Sequence, residues 1–205
     1  MEDEVEEEEI YKTDLNDKIF IVTGANSGIG KEITRGLAKM NAKVVMVCRS
    51  KERGTTTMNQ IKKNIPNGNL DLMICDLSDF SQIRDFANKF KKKFPKLDGL
   101  INNAGIYLGD YKESVDGISL MMQVNHFSPF LLTHLLLDSL KKSDFSRIIN
   151  VNSGAHHSGE IEISEASKIK KWKKAGMKGY SVSKFVNLLT IYRFSSRKPC
   201  PLGHG

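Results

Sequence analysis

Cysteine and long apolar runs are both scarce in this 205-residue chain. Cys48, Cys75 and Cys200 have no paired spacing, which argues against a disulfide framework and against a zinc site. We therefore expect reduced thiols, as in a cytosolic compartment. No apolar run approaches the roughly 18 residues that span a bilayer. The sequence predicts a cytoplasmic protein without a membrane-spanning anchor.

Charge is unevenly distributed along the chain, whose formal net charge is +7. Residues 1–15 form an acidic arm that we expect to be disordered, because it has little to bury, and it lacks the basic start of a signal peptide. Lysines cluster in Lys89–Lys96 and Lys168–Gly179. Solvated helix faces explain both clusters, and a peripheral membrane contact through Lys168–Lys178 is the alternative. No nucleic-acid motif accompanies them, so no nucleic-acid partner is predicted.

Short apolar runs alternate with segments of helical length. The predicted strands are 18–23, 42–48, 70–77, 97–105 and 146–153, the fourth running into a loop. The predicted helices are 28–40, 51–65, 80–94, 116–142 and 179–194. This alternation predicts an α/β fold with a doubly wound parallel sheet and a ligand crevice at the carboxyl ends of its strands. We expect one domain over residues 16–197 and an irregular tail over 198–205.

The stretch TGANSGIG joins the first predicted strand to the first predicted helix. Gly24 would allow a tight turn, Gly28 would let the backbone approach a phosphate, and Gly30 would let helix and strand pack closely. The unpaired N–H groups and the dipole of the helix N-terminus would then hold a diphosphate. A merely flexible turn is the alternative, and the G-x-x-x-G-x-G spacing differs from the usual G-x-G-x-x-G.

Further motifs follow the glycine loop in a definite order. They are CDL at 75–77, NNAG at 102–105, Asn125 in QVNHFSPFLLT, VNS ending at Ser153, and YSVSK with Tyr180 and Lys184. Their order resembles that of the short-chain dehydrogenase/reductase family over residues 16–195. VCRS, SGAHHSG and the 27-residue separation of Ser153 from Tyr180 are similar to the NADP-dependent retinol dehydrogenase group of that family. The resemblance implies a Rossmann-type sheet.

Tyrosine and lysine four residues apart on a helix can perform acid–base chemistry. A free tyrosine hydroxyl has a pKa of about 10, but a lysine ammonium one helical turn away favours the phenolate. We predict Tyr180 as the general acid/base, Lys184 as its electrostatic partner, and Ser153 as the hydrogen-bond donor to the substrate oxygen. By the resemblance, Tyr180 and Lys184 also contact the cofactor, and Asn125 holds a proton-relay water.

The expected cofactor is NADP. An NAD site has an acidic residue at the end of the second strand, whereas this chain has Arg49 there, suited to a 2′-phosphate. His156 and His157 are adjacent and have no Cys/His cluster nearby, so no metal site is predicted. The other cofactor-binding candidates, beyond the three glycines, are Asn26, Ser27, Ile29, Asp76, Leu77, Asn103, Ala104 and Gly105.

These motifs predict an NADP(H)-dependent oxidoreductase that interconverts a lipophilic aldehyde or ketone and its alcohol, with reduction favoured. The chain stops before the sixth strand and the PG loop expected of the family. The fifth strand would then be an edge, and the nicotinamide pocket would lack a wall. A truncated, inactive isoform that binds cofactor or protein partners is therefore the alternative. By the resemblance, a homodimer would form through the helices that hold Asn125 and Tyr180.

Overall fold

The computed structural model describes residues 13–161 and 173–195, apart from the side chains of 192–195. Most of the predicted acidic arm, the predicted tail and residues 168–172 of the basic segment lie outside the described residues. The described strands are β1 Ile19–Thr23, β2 Lys43–Cys48, β3 Leu70–Ile74, β4 Gly99–Asn102 and β5 Arg147–Asn150. The helices are α1 Gly28–Lys39, α2 Lys51–Asn64, α3 Phe80–Lys93, α4 Leu120–Met122, α5 Ser128–Lys141 and α6 Gly176–Ser195.

The chain divides into two compact units. The first unit is residues 1–105 with 131–151, and the second is residues 106–130 with 152–205. The single domain over 16–197 stays a prediction. Among the described residues, no helix has both the length and the apolar character needed to cross a membrane.

A parallel sheet organises the first unit. Its strand order is β3-β2-β1-β4-β5, and every neighbouring pair is parallel. The chain moves outward from β1 to β3 and then returns to place β4 on the other side of β1. The order therefore reverses between β1 and β4, whose carboxyl ends define the switch point of a doubly wound sheet. The predicted fold class is confirmed.

Apolar side chains cover both faces of this sheet. On one face, Ile21 and Val45 pack with Phe86 and Phe90 of α3 and Leu136 of α5. On the other face, residues of β1 and β2 pack with α1 and α2; this cluster includes Val22, Val44, Met46, Ala38 and Ile61. Burial on both sides explains why the central strands are continuous apolar runs instead of alternating ones.

β5 departs from that pattern of burial. Ile148 and Ile149 point to opposite faces of the strand, and they are 41% and 50% exposed. β5 is one of the two edge strands of the described sheet and is paired with β4 alone.

Asp98, directly before β4, connects the amino end of β4 to that of β1 through hydrogen bonds. It is 4% exposed and accepts hydrogen bonds from the Ile19 backbone N–H at 2.8 Å and from the Ser143 hydroxyl at 2.6 Å. The Lys96 ammonium lies 3.2 Å from the same carboxylate. Burial acts to raise the pKa of Asp98, but these partners outweigh it and hold the pKa below its usual range.

The predicted helix over 116–142 is shorter than expected and is interrupted. It begins at Leu120, and a π-helical turn over Gln123–Phe127 separates α4 from α5. In an uninterrupted α-helix the ring of Pro129 would collide with the Asn125 carbonyl, four residues earlier. In the wider turn the Ser128 N–H bonds to the Gln123 carbonyl, five residues earlier, and Pro129 follows in the first turn of α5.

Candidate active site

The glycine loop follows β1 in the first unit and has two left-handed residues. Gly24 has φ +67° and Gly28 has φ +51°, conformations that L side chains rarely adopt. A Cβ on Gly24 would meet the Ala104 backbone at 3.1 Å, whereas one on Gly28 would meet nothing within 4 Å. A Cβ on Gly30 would overlap the carbonyl oxygen of Gly24 and the side-chain nitrogen of Asn103. Gly24 and Gly30 thus serve packing, while Gly28 faces open space.

Thr23 joins the glycine loop to the NNAG segment that follows β4. Its hydroxyl accepts hydrogen bonds from the backbone N–H groups of Asn103 and Ala104, both at 3.0 Å. The Asn103 side-chain amide donates to the Thr23 carbonyl at 2.9 Å. Asn103 therefore holds the loop in shape through its side chain. Thr23 was not predicted from the sequence, because one hydroxyl before a glycine loop carries no spacing signal.

The N-terminus of α1 has the chemistry that a diphosphate requires. Ser27 occupies the N-cap position, but its side chain makes no capping hydrogen bond, and the first turn contains no acidic residue. The Ser27 side chain therefore does not satisfy the first backbone N–H groups of α1, and no acidic residue of the first turn offsets the positive end of the helix dipole. With the open space at Gly28, this end of the first unit fits the diphosphate of a dinucleotide.

The ends of β2 and β3 carry the remaining cofactor candidates of the first unit. Arg49 is exposed between β2 and α2, and the Ser50 hydroxyl caps α2 by accepting from the Arg53 N–H. Asp76 Oδ1 accepts from both the N–H and the hydroxyl of Ser78, at 2.9 and 2.7 Å. Leu77 is 9% exposed. Asn26, Ser27, Ile29 and Gly105 also belong to this unit.

Helix α6 carries Tyr180 and Lys184 in the second unit. Lys184 Nζ lies over the Tyr180 ring, 5.7 Å from its centroid. Lys184 is only 5% exposed, and this burial lowers the pKa of its ammonium.

The segment after β5 runs along α6. The Asn152 side chain donates to the Lys184 carbonyl at 3.2 Å, and Gly159 packs so closely that a Cβ there would strike the Ser181 carbonyl. Between them, the Ser153 hydroxyl oxygen accepts from the Ala155 N–H at 3.3 Å and caps a 3-10 turn. Since its oxygen accepts this bond, the Ser153 hydroxyl hydrogen is the group that can donate to a substrate oxygen.

Asn125 lies in the π-helical turn and is 1% exposed. Its Oδ1 accepts from the Ile106 N–H at 2.8 Å, and its Nδ2 donates to the Ile106 carbonyl at 2.9 Å. Nδ2 also donates to the Ser183 hydroxyl at 2.9 Å. Both amide hydrogens are therefore used within the protein, so a relay water at Asn125 would need another atom of this residue.

The structure places the sequence-predicted residues in two groups. The four catalytic candidates Asn125, Ser153, Tyr180 and Lys184 all belong to the second unit, and the glycine loop, Arg49, Asp76, Leu77 and NNAG belong to the first. Sequence analysis missed two residues of the second unit, Ser183 and Tyr107. The Tyr107 ring meets the Tyr180 ring edge-on, with centroids 5.8 Å apart.

Thiol and metal chemistry have little support among the described residues. Cys48 and Cys75 are buried free thiols, and burial raises the pKa of Cys48 to about 11 and that of Cys75 to about 12. Thiols of this kind stay protonated and are poor nucleophiles. No group of three or more His, Cys, Asp or Glu residues in the described part of the chain could hold a metal ion.

The first unit has a glycine loop and an NNAG segment on a doubly wound sheet, and the second unit has the Tyr–Lys pair on α6. The sequence model of the short chain dehydrogenase family matches residues 18–169, and the chain belongs to this family. The resemblance inferred from the motifs is confirmed.

Related proteins and solved structures agree with this family. Retinol dehydrogenase 11 of Homo sapiens is 41% identical over 89% of this chain and 57% of its own length. Retinol dehydrogenase 12 of Bos taurus is 38% identical over 92% of this chain and 60% of its own length. The chain thus spans less than two thirds of these relatives. The Pseudomonas aeruginosa RhlG/NADP complex has a TM-score of 0.70 at 29% identity, covering 90% of this chain and 68% of that one.

Proposed function

We propose that this chain is an NADP(H)-dependent oxidoreductase that interconverts a lipophilic aldehyde or ketone and its alcohol. The observation that carries the proposal is the arrangement on α6, where the buried Lys184 ammonium lies 5.7 Å from the Tyr180 ring centroid. This arrangement supports Tyr180 as the residue that exchanges a proton with the substrate and Lys184 as the cation that accompanies it. The retinol dehydrogenases among the relatives support a lipophilic substrate.

In the proposed reaction, the cofactor and the protein supply different groups to the substrate. A nicotinamide cofactor held by the glycine loop and Arg49 would supply a hydride for the carbonyl carbon, and the protein supplies the proton. Ser153 donates a hydrogen bond to the carbonyl oxygen and stabilises its developing negative charge. Tyr180 gives its proton to that oxygen, and Lys184 stabilises the phenolate that remains. In the oxidation direction, the same phenolate removes the proton of the alcohol.

The preference for NADP over NAD rests on Arg49. Its side chain is exposed directly after β2, the position at which an NAD site has an acidic residue. A guanidinium can form paired hydrogen bonds with a phosphate. Arg49→Ala should raise the KM for NADPH at least about tenfold and leave the KM for NADH unchanged. Arg84→Ala, an exposed arginine on α3, is the matched control.

The test is NADPH oxidation, followed at 340 nm, by the purified 205-residue chain. Substrates would be all-trans-retinal, a long-chain aliphatic aldehyde, a steroid ketone and a small carbonyl compound. Tyr180→Phe should lower kcat at least about 100-fold, because it removes the acid/base group. Tyr107→Phe, which removes the hydroxyl of the neighbouring ring, should retain activity.

Two results would contradict the proposal. An equal loss of kcat in Tyr107→Phe and Tyr180→Phe would show that Tyr180 has no specific role in the reaction. A folded chain that binds NADPH but turns over none of the four substrates would favour the alternative, in which the protein binds cofactor or protein partners without catalysis.

A further inference from the structure

Ser183, the residue before Lys184, is fully buried at 0% exposure. Its hydroxyl donates to the Tyr180 carbonyl at 2.7 Å, within α6. The same oxygen accepts from Asn125 Nδ2 at 2.9 Å. A helical serine that bonds back to its own helix needs no outside partner. Here the outside partner is a side chain of the π-helical turn, so Ser183 joins two separate elements.

The orientation of these bonds is determined by the groups they connect. The Ile106 N–H can only donate, so the atom of Asn125 facing it is the amide oxygen. The NH₂ group then faces the Ile106 carbonyl and the Ser183 hydroxyl. With a donor approaching from Asn125, the Ser183 hydrogen is directed to the Tyr180 carbonyl.

These bonds belong to a closed circuit around Tyr180. From the Ile106 backbone, two hydrogen bonds lead to Asn125, a third leads to Ser183, and a fourth leads to the Tyr180 backbone. The circuit closes through the ring contact between Tyr180 and Tyr107, the residue that follows Ile106. Tyr180 is therefore held at its backbone and at its ring by the same short segment.

We propose that Ser183 is a positioning residue for Tyr180, tying it through Asn125 to the segment over residues 106–107. This inference rests on the proposed function, because the position of Tyr180 matters for a proton transfer at its hydroxyl. Without the Ser183 hydroxyl, Asn125 loses a partner and α6 loses its link to Ile106. The residue that follows this segment is also attached to α6, through the hydrogen bond from the Gly176 N–H to the Leu108 carbonyl at 3.0 Å. The effect is therefore a loosening and not a collapse.

The first measurement is amide hydrogen exchange of the full chain by NMR, which requires no turnover. Ser183→Ala should raise the exchange rate of the Ile106 amide about tenfold, the usual effect of losing one buried hydrogen bond. Ser181→Ala is the matched control, since Ser181 is 1% exposed and lies on the same helix. Ser183→Cys, with a weaker donor of similar shape, serves if the alanine variant does not fold.

The second measurement is steady-state kinetics with NADPH and retinal. Ser183→Ala should lower kcat about tenfold while KM changes less than about twofold, because the loss affects the reacting geometry and not substrate binding. Ser181→Ala should change neither. A fall in kcat no larger than that of Ser181→Ala would overturn the inference.

Amide hydrogen exchange tests this inference independently of the proposed function, because it does not depend on turnover. An unchanged Ile106 exchange rate in Ser183→Ala overturns the inference, whether or not the chain is active. If the unaltered chain does not turn over, the proposed function fails. In that case a tenfold rise in Ile106 exchange still supports the tie between Ser183 and the segment that contacts Tyr180.

Discussion

Alanine should affect two glycines of the same motif differently, with the larger loss of stability at Gly30 and the larger loss of cofactor affinity at Gly28. Gly28 has φ +51° and open space around a Cβ, so Gly28→Ala should cost only backbone strain, about 1 kcal/mol of unfolding free energy. At Gly30 a Cβ would overlap the Gly24 carbonyl and the Asn103 side chain, and overpacking of this kind costs about 1–3 kcal/mol. Alanine returns up to about 1 kcal/mol in helix propensity there. Because the Gly24 carbonyl is backbone and cannot move aside cheaply, the cost lies near the upper end of that range, and we expect a net loss of about 2 kcal/mol for Gly30→Ala.

Cofactor affinity should show the reverse order. Without NADPH, urea unfolding followed by far-UV circular dichroism should place Gly28→Ala nearer the unaltered chain than Gly30→Ala. In an NADPH titration followed by cofactor fluorescence, Gly28→Ala should weaken binding at least about tenfold beyond any loss of folded protein, since its methyl fills the approach of a phosphate. Gly109→Ala is the control, because that glycine is exposed, also has nothing within 4 Å of a Cβ and has no positive φ.

Either of two outcomes would refute this reasoning. Unchanged NADPH affinity in Gly28→Ala would show that the open space at Gly28 is not where a phosphate lies. Equal stability of the two variants would show that Gly30 is not required for packing against the NNAG segment.

Two further predictions concern buried ionisable groups. Asp98→Ala should destabilise the chain by about 3 kcal/mol at pH 7, because the buried Ile19 N–H and the partly buried Ser143 hydroxyl lose their acceptor. Asp85→Ala, at an exposed position, should change stability by less than about 0.5 kcal/mol. The pKa of Asp98 is lowered in the folded chain, so its contribution to the free energy of unfolding is present above the unfolded pKa of about 4 and is lost as pH falls through the folded pKa. The urea midpoints of the unaltered chain and of Asp98→Ala should therefore be closer at pH 3 than at pH 7. Burial lowers the pKa of His126 from 6.5 to about 4, so up to about 3 kcal/mol of stability, present above pH 6.5, should be lost as pH falls toward 4. His126→Leu should remove that part of the pH dependence and the exposed His134→Leu should not; an identical pH profile in His126→Leu would contradict the assignment.

Local patterns were sufficient to predict the order of strands and helices. Each of the five strands and the first three helices lies within about three residues of its predicted bounds, because continuous apolar runs, glycines and Pro66 act on near neighbours in the chain. The family and its motifs were also visible in the sequence, since the spacing of Tyr180 from Lys184 follows from one helical turn. The π-helical turn was not predicted. The conflict between Pro129 and the Asn125 carbonyl can be read from their spacing, but its resolution depends on what packs around both residues.

The sequence by itself determined the fold class, the family and the residue types available for proton and phosphate chemistry. Only the tertiary structure decided which of them contact one another. Asn125 and Ser183 are 58 residues apart, and Thr23 and Asn103 are 80 apart, yet each pair is joined by hydrogen bonds. A single amide or hydroxyl has no periodicity along the chain, so its partner is specified only when folding brings distant segments together and burial makes an unpaired polar group costly.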